Sequence, residues 1–284
     1  MKYAIIGARG QVGQEFVKLL PPEQVIALDS RDLNVTNEAS VHLCLHRYPD
    51  FDVVINLAAY HKVDDCEDNP DIAFDVNALG AHNVATVATE MGKKVVFFSS
   101  DYVFGRAQHR QHPYTEDDLP SPIIVYGASK VAGEHLVRIA APDNHLIIRT
   151  SSLYGCTTSK KGWTFPEMIL NKARAGEKLR VVDDQIMSTM YTRDLATQTL
   201  TLIEAEATGI YHVVNHGTCS WYGFAYATLA MAGVDHPIEA VSSDEFPTKA
   251  TRPMYSALFS TRARRGRPWQ RALSAYLIEK GEIK

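Results

Sequence analysis

The chain has 284 residues, 45% of them hydrophobic, and a formal net charge of −4. That length supports one large domain or two smaller ones around a real core, and the mild negative charge gives no general attraction to nucleic acid or an anionic membrane. No run approaches the ~18 consecutive apolar residues of a membrane span, and the four cysteines and eleven histidines show no C-x-x-C or H-E-x-x-H spacing, which argues against a disulfide framework or a zinc site.

The N-terminal "MKYAIIGARG" has too short an apolar stretch for a signal peptide and reads directly as a strand. A cytoplasmic protein is expected. From there the first half alternates. "YAIIG" is a strand, "GQVGQEFVKLL" a helix stopped by Pro21 and Pro22, and "QVIALD" a second strand. "NEASVHLCLHRY" is a helix, "DVVINLA" a third strand, and 71–92 a long helix ending at Gly92. "KVVFFSS" is a fourth strand and "HLIIRTS" a fifth. Nearly continuous apolar strands alternating with helices predict an α/β fold of the Rossmann type, a doubly wound parallel sheet covered on both faces. Beyond Ser152 the pattern loosens into "FPEMILNKARAG", "GIYHVVN", "SWYGFAYATLAMAG" and the last helix "PWQRALSAYLIEKG". The division expected is a cofactor domain over 1–150, with a strand near 209–215 returning to it, and a smaller lobe, mainly substrate-binding, over 151–284.

"IIGARGQVGQ" carries Gly7, Gly10 and Gly13 between the first strand and the first helix. Side chains there would obstruct a tight turn, a close approach to a pyrophosphate and close packing of helix on strand. The phosphates then meet free N–H groups at a helix N-terminus. Asp29 closes the second strand, about 20 residues on, where a carboxylate reaches an adenosine ribose. The signature is that of a dinucleotide site. Asp29 favours a free ribose 2′-hydroxyl, and Arg9 and Arg31, if they point inward, can pair with a 2′-phosphate, so NADH and NADPH are both expected as cofactors.

"VYGASKVAGE" places Tyr126 four residues before Lys130, one helical turn away on the same face. A hydride delivered to a ketone leaves an alkoxide that needs a proton. A tyrosine with a pKa of ~10 is a slow acid–base group near neutrality, and a neighbouring ammonium is expected to lower it. Ser99 and Ser100 end the fourth strand, on the side where open α/β sheets bind ligands, and supply a hydroxyl for the carbonyl oxygen.

Together with "VVINLAAYHKVDDCE", "SSDYVFG", "LIIRTSSLYG", "VVDDQ", "GIYHVVN", "SWYGFA" and "RPMYSALFST", in that order over almost the whole chain, these motifs resemble the dTDP-4-dehydrorhamnose reductase family of the extended short-chain dehydrogenase/reductase superfamily. The resemblance implies NAD(P)H-dependent reduction of a nucleotide-linked 4-keto-6-deoxy sugar. It implies Tyr126 as proton donor, Lys130 on the nicotinamide ribose, and Ser100 in place of the family's usual threonine. It extends the cofactor set from Gly7, Gly10 and Gly13 to Gln11, Val12, Asp29, Ser30, Arg31, Leu57, Ala58, Ala59, Tyr60, Asn77 and Ser99. Asp101, Tyr102, Ser152 and Arg252 are expected at the sugar. Sugar-nucleotide dehydratases of the superfamily show an Asp-Glu pair where this chain has Asp101 and Tyr102, which favours simple carbonyl reduction. No metal is expected, since no carboxylate constellation stands out, and a homodimer is left open.

Three features depart from the family pattern. Ser152 stands where a tryptophan is usual. Met187, Thr189 and Met190 replace a Gly and a Pro-Thr, so the methionines are expected to refill the space beside Ser152. The stretch 106–122 reads as a solvated loop. The arginines between 262 and 271 read as a solvated helix start rather than a nucleic-acid surface, and Trp221 as a core residue. Two alternatives stay open: another keto-sugar reductase or epimerase, and a non-catalytic regulatory subunit such as that of methionine adenosyltransferase.

Overall fold

A computed structural model describes residues 1–107, 109–157 and 162–283. Its centre is a six-stranded sheet. The strands are β1 (Tyr3–Ile6), β2 (Val25–Leu28), β3 (Val53–Asn56), β4 (Lys94–Ser100), β5 (His145–Thr150) and β6 (Gly209–His212). They lie in the order β6-β5-β4-β3-β1-β2, every neighbouring pair parallel. From β1 the chain winds outward to β2, then returns to the other side at β3. The strand order therefore reverses between β1 and β3, and ligands of open α/β sheets bind in the crevice beyond such a point.

Alternation along the strands builds two cores. Ala4 and Ile6 of β1 face one cluster, while Tyr3 and Ile5 face the other. The first is covered by α2 (Glu38–His46), α3 (Gly80–Glu90) and α4 (Val125–Ala140); the second by α1 (Gln11–Leu19) and α6 (Thr192–Glu204). A third cluster lies in the C-terminal half. It is formed by α5 (Phe165–Arg174), α7 (Trp221–Met231), α8 (Trp269–Glu279) and a parallel pair, Leu179–Val182 with Ile238–Val241.

Three details differ from the sequence reading. The long helix expected over 71–92 is interrupted by a π-helical turn, Asp75–Leu79, which carries Asn77. Such bulges re-aim a side chain without ending a helix. A short helix, Val63–Asp68, occupies a stretch with no predicted element. The loop expected over 106–122 is solvated at Arg106, His109, Gln111, His112 and Leu119 but anchored at Arg110 and Tyr114: Arg110 pairs with Asp118 and lies over the Tyr114 ring, and Tyr114 is buried in a stack on Phe104. Among the described residues no helix is long and apolar enough to cross a membrane.

Candidate active site

The glycine turn has no room for side chains. Gly7 has φ +85°, and a Cβ on Gly13 would stand 2.3 Å from the Gly7 carbonyl oxygen. The N-terminus of α1 begins at Gly10 with no side-chain cap, so its first turn is served by no local oxygen. The Gln11 side-chain nitrogen is buried without a hydrogen-bond partner. An uncapped helix end, an orphaned donor and a cradle that a Cβ would fill suit a bound pyrophosphate. Val12 packs its side chain into the core and offers only its backbone.

Asp29, at the end of β2, is gripped by Arg31 and Arg9, each at 2.7 Å. The hydrogen bonds from Arg31, and then the Arg9 charge, hold its carboxyl well below the usual range. Ser30 is exposed beside it. Leu57, Ala58, Ala59 and Tyr60 follow β3 and are half-buried along the opposite wall of the crevice. Asn77 lies behind them, not among them. It is fully buried, accepts from the Tyr60 backbone N–H at 2.8 Å, and donates to the Tyr60 carbonyl at 3.1 Å and to Ser129 Oγ at 3.0 Å. Its amide ties the π-helical turn to the loop after β3 and to α4, as a polar core residue does.

Ser99 also moves away from its expected place. Successive strand residues point to opposite faces, and Ser99 turns to Glu134 at 2.5 Å, into a buried pair of Glu134 with Arg149. Ser100 takes the productive side. Its hydroxyl is near enough to the Tyr126 phenol to influence its titration, accepts from the Tyr102 N–H at 3.1 Å and donates to Asp101 Oδ1 at 3.1 Å.

The expected coupling of Lys130 to Tyr126 takes a different form. Burial raises the Tyr126 phenol above its ordinary value, the Asp101 carboxylate adds to the rise, and the Ser100 hydrogen bond opposes it. Lys130 does not contribute. It is itself buried, its ammonium 4.1 Å from the centre of the Phe97 ring, and desolvation pushes its pKa down to about 7 against the pull of Glu134. A raised phenol stays protonated through the neutral range, which suits a group whose task is to give a proton away.

Beyond Tyr102 opens a cleft of about 300 Å³, lined by Tyr102, Arg252, Phe165, Trp221, Phe246 and Arg180, with Lys172 and Lys178 also on its wall. Trp221 is thus a lining residue as well as a core one. Arg252 donates to Asp64 Oδ2 at 2.7 Å and to the Ala250 carbonyl at 3.2 Å. Asp101 is not on the cleft wall. It is 4% exposed, with both carboxylate oxygens taken by serine hydroxyls. Ser152 has a left-handed backbone, φ +40°, and its hydroxyl meets the Met187 sulfur at 2.8 Å. Met187 therefore does sit beside Ser152; Met190 is held next to it by the backbone, its N–H donating to the Ser152 carbonyl at 3.3 Å, while its side chain joins the core beneath the sheet.

The profile described as the RmlD substrate binding domain matches residues 1–281. The chain belongs to the dTDP-4-dehydrorhamnose reductase family. The reductase is 41% identical to the spore coat polysaccharide biosynthesis protein SpsK of Bacillus subtilis, over 98% of each chain. It superimposes on a dTDP-4-dehydrorhamnose reductase from Clostridium acetobutylicum with a TM-score of 0.92 and 35% identity, covering 100% of both chains. The Bacillus anthracis reductase in complex with NADP gives 0.91 and 36%, over 98% of this chain and 100% of the other. The reductase is an NAD(P)-dependent oxidoreductase.

Several residues of the reductase that shape the site carry no local signal. Glu67 accepts from the Val125 N–H at 2.9 Å and so caps α4, the helix that presents Tyr126. Asp64, on the same short helix, accepts from the Ala250 N–H at 3.0 Å as well as from Arg252. Ser151 and Ser256 hold Asp101. Asp64, Glu67, Ser151 and Ser256 all lie inside stretches quoted for the family resemblance, but nothing in their spacing shows these roles. Gly127 lies in such a stretch too: a Cβ there would stand 2.1 Å from the Tyr102 carbonyl oxygen.

Proposed function

We propose that the protein reduces dTDP-4-dehydrorhamnose to dTDP-L-rhamnose with NADPH or NADH. The observation that carries this is the Ser100–Tyr126 hydroxyl pair, which stands at the C-terminal end of β4 and opens through Tyr102 onto a cleft with cations and aromatic rings on its wall. The bound nicotinamide supplies a hydride to the ketone carbon. Tyr126, held protonated, gives its proton to the oxygen. Ser100 fixes that oxygen by a hydrogen bond, and Lys130 holds the cofactor ribose. Arg252, Arg180, Lys172 and Lys178 suit a diphosphate, and Phe165, Trp221 and Phe246 offer faces to a base. In this reading residues 1–150 carry the cofactor, residues 151–284 most of the sugar-nucleotide site, and the reaction runs in the cytoplasm.

The test is NAD(P)H oxidation with dTDP-4-dehydrorhamnose, with the product identified. A kcat/KM within ~10⁴–10⁸ M⁻¹s⁻¹ is the expected result. A far lower value, beside faster turnover of another 4-keto-6-deoxy sugar, overturns the substrate assignment. Ser152 favours that second reading, because a serine lacks the broad apolar face of the family's usual tryptophan. Restoring the tryptophan is not a clean test. The backbone at 152 is left-handed, a conformation costly for a bulky side chain, and Met187 already fills the neighbouring space.

Cofactor choice is read at Arg31. Asp29 suits a free ribose 2′-hydroxyl, and the two arginines that now neutralise it suit a 2′-phosphate. Arg31→Ala is expected to weaken NADPH binding by about tenfold, the scale of one charged hydrogen bond, with a smaller effect on NADH. Binding titrations of both cofactors check this; equal losses would remove Arg31 from the phosphate.

A further inference from the structure

Asp101 stands directly behind the reacting hydroxyls. Its Oδ1 accepts from Ser100 at 3.1 Å, and its Oδ2 accepts from Ser151 at 2.9 Å and Ser256 at 2.6 Å. The geometry points to Asp101 as a positioning residue whose protonation state decides where the Ser100 hydroxyl sends its hydrogen. This rests on the reductase reading above.

The argument is a count of hydrogens. A serine hydroxyl has one. Once a ketone occupies the site, two acceptors compete for the Ser100 hydrogen: the substrate oxygen in front and Asp101 behind. An ionised carboxylate makes hydrogen bonds about twice as strong as a neutral acceptor. With Asp101 ionised, the hydrogen stays behind, and Tyr126 is the ketone's one donor from this pair. With Asp101 neutral, Ser100 is released to donate forward, and two hydroxyls stabilise the developing alkoxide.

The serine cluster has a place ready for the extra proton. Ser151 has one hydrogen but two acceptors, Asp101 Oδ2 and the Ser188 carbonyl at 2.8 Å. If Oδ2 carries a proton, it donates to Ser151, and Ser151 passes its own hydrogen to Ser188. No hydroxyl is left without a partner in either state. Removal from water, opposed by the three serines, raises the carboxyl to about 6, within reach of ordinary working pH.

The titratable groups that feel Asp101 are Tyr102 on its own turn and Tyr126 on α4, and both phenols are raised. The segments bearing Ser151, Ser188 and Ser256 present hydroxyls and a carbonyl to it. Of the nearby cations, Arg252 acts on Tyr102 and pairs with Asp64, while Lys130 lies over Phe97. Lys130, pushed down to about 7, is the other group that titrates in this range.

The experiment is the pH profile of kcat/KM for NADPH-dependent reduction of dTDP-4-dehydrorhamnose by wild type, Asp101→Asn and Ser256→Ala. Wild type should lose about tenfold as pH rises through the Asp101 titration, the scale of making one hydrogen bond charge-assisted. Asp101→Asn, neutral at every pH, should lose that step, keep the wild-type acid-limb rate to higher pH, and retain any step due to Lys130. Ser256→Ala removes a hydrogen bond that holds the carboxyl down, so its midpoint should move up. A wild-type profile flat in this region, or an Asp101→Asn profile with the step intact, overturns the inference. If Asp101→Asn fails to fold, shown by lost NADPH binding, the decision passes to Ser256→Ala, and an unmoved midpoint overturns it. A wild type that oxidises no NADPH with this substrate at any pH instead removes the reductase reading, and the inference with it.

Discussion

Tyr126→Phe yields an enzyme that binds NADPH as wild type does and turns over at least about a hundredfold more slowly, within the ~10²–10⁴-fold range of a positioned acid–base group. The phenol stands by Ser100 and, raised by burial, stays protonated at neutral pH. Its ring does separate work, meeting Tyr102 edge-on at 6.3 Å and 84°, and phenylalanine preserves that contact. Cofactor titration and steady-state turnover separate the two roles. Near-full activity in the variant would assign the proton to another group. A fall in NADPH affinity as large as the fall in rate would make the effect structural.

Gly127→Ala is expected to be as damaging without removing any functional group. The added methyl would lie 2.1 Å from the Tyr102 carbonyl oxygen, far inside van der Waals contact. Backbone sits on both sides, so α4 must retreat from the Asp101–Val103 turn. That turn carries Asp101 and Tyr102 and starts at Ser100, while α4 carries Tyr126 and Lys130. A misplacement of ~1 Å can cost about a hundredfold in rate, and overpacking typically costs ~1–3 kcal/mol of stability. Both kcat and Tm should fall. Wild-type kcat at an unchanged Tm would show that the contact between helix and turn does not hold the reacting groups in place.

What the sequence revealed of this site was local. Gly7, Gly10 and Gly13 announce the turn because no other residue fits it, and Tyr126 and Lys130 announce themselves by helical spacing. What stayed hidden depends on partners far along the chain. Asp101 has the right address for a sugar contact, but Ser151 and Ser256, 50 and 155 residues away, draw it inward. Asn77 has a helical address, yet the π turn aims it at the Tyr60 backbone. Ser99 and Ser100 fall on opposite faces of β4 by alternation alone, but which face meets the site is not known until it is known what covers each. The same holds for the methionines after "VVDDQ": both lie beside Ser152, but Met187 meets its hydroxyl while Met190 meets it only by its backbone and turns its side chain into the core beneath the sheet. The electrostatics were the least legible part. Spacing suggests that Lys130 acts on Tyr126, but burial governs both groups and moves them the opposite way from a simple ion-pair argument.

The order of strands bears on how the chain is made. β5 is buried along its whole length, and the strand that covers its outer edge is β6, which begins only at Gly209. A nascent chain that has emerged through residue 150 holds five strands of the sheet, with the sixth still unmade. At ~5–20 residues per second, that interval lasts seconds. Throughout it the flank of β5 is an open template, able to pair with the same strand of a neighbouring chain on the same messenger. The C-terminal half therefore does more than complete a binding site. Its arrival ends the period in which the growing chain is most exposed to its own copies.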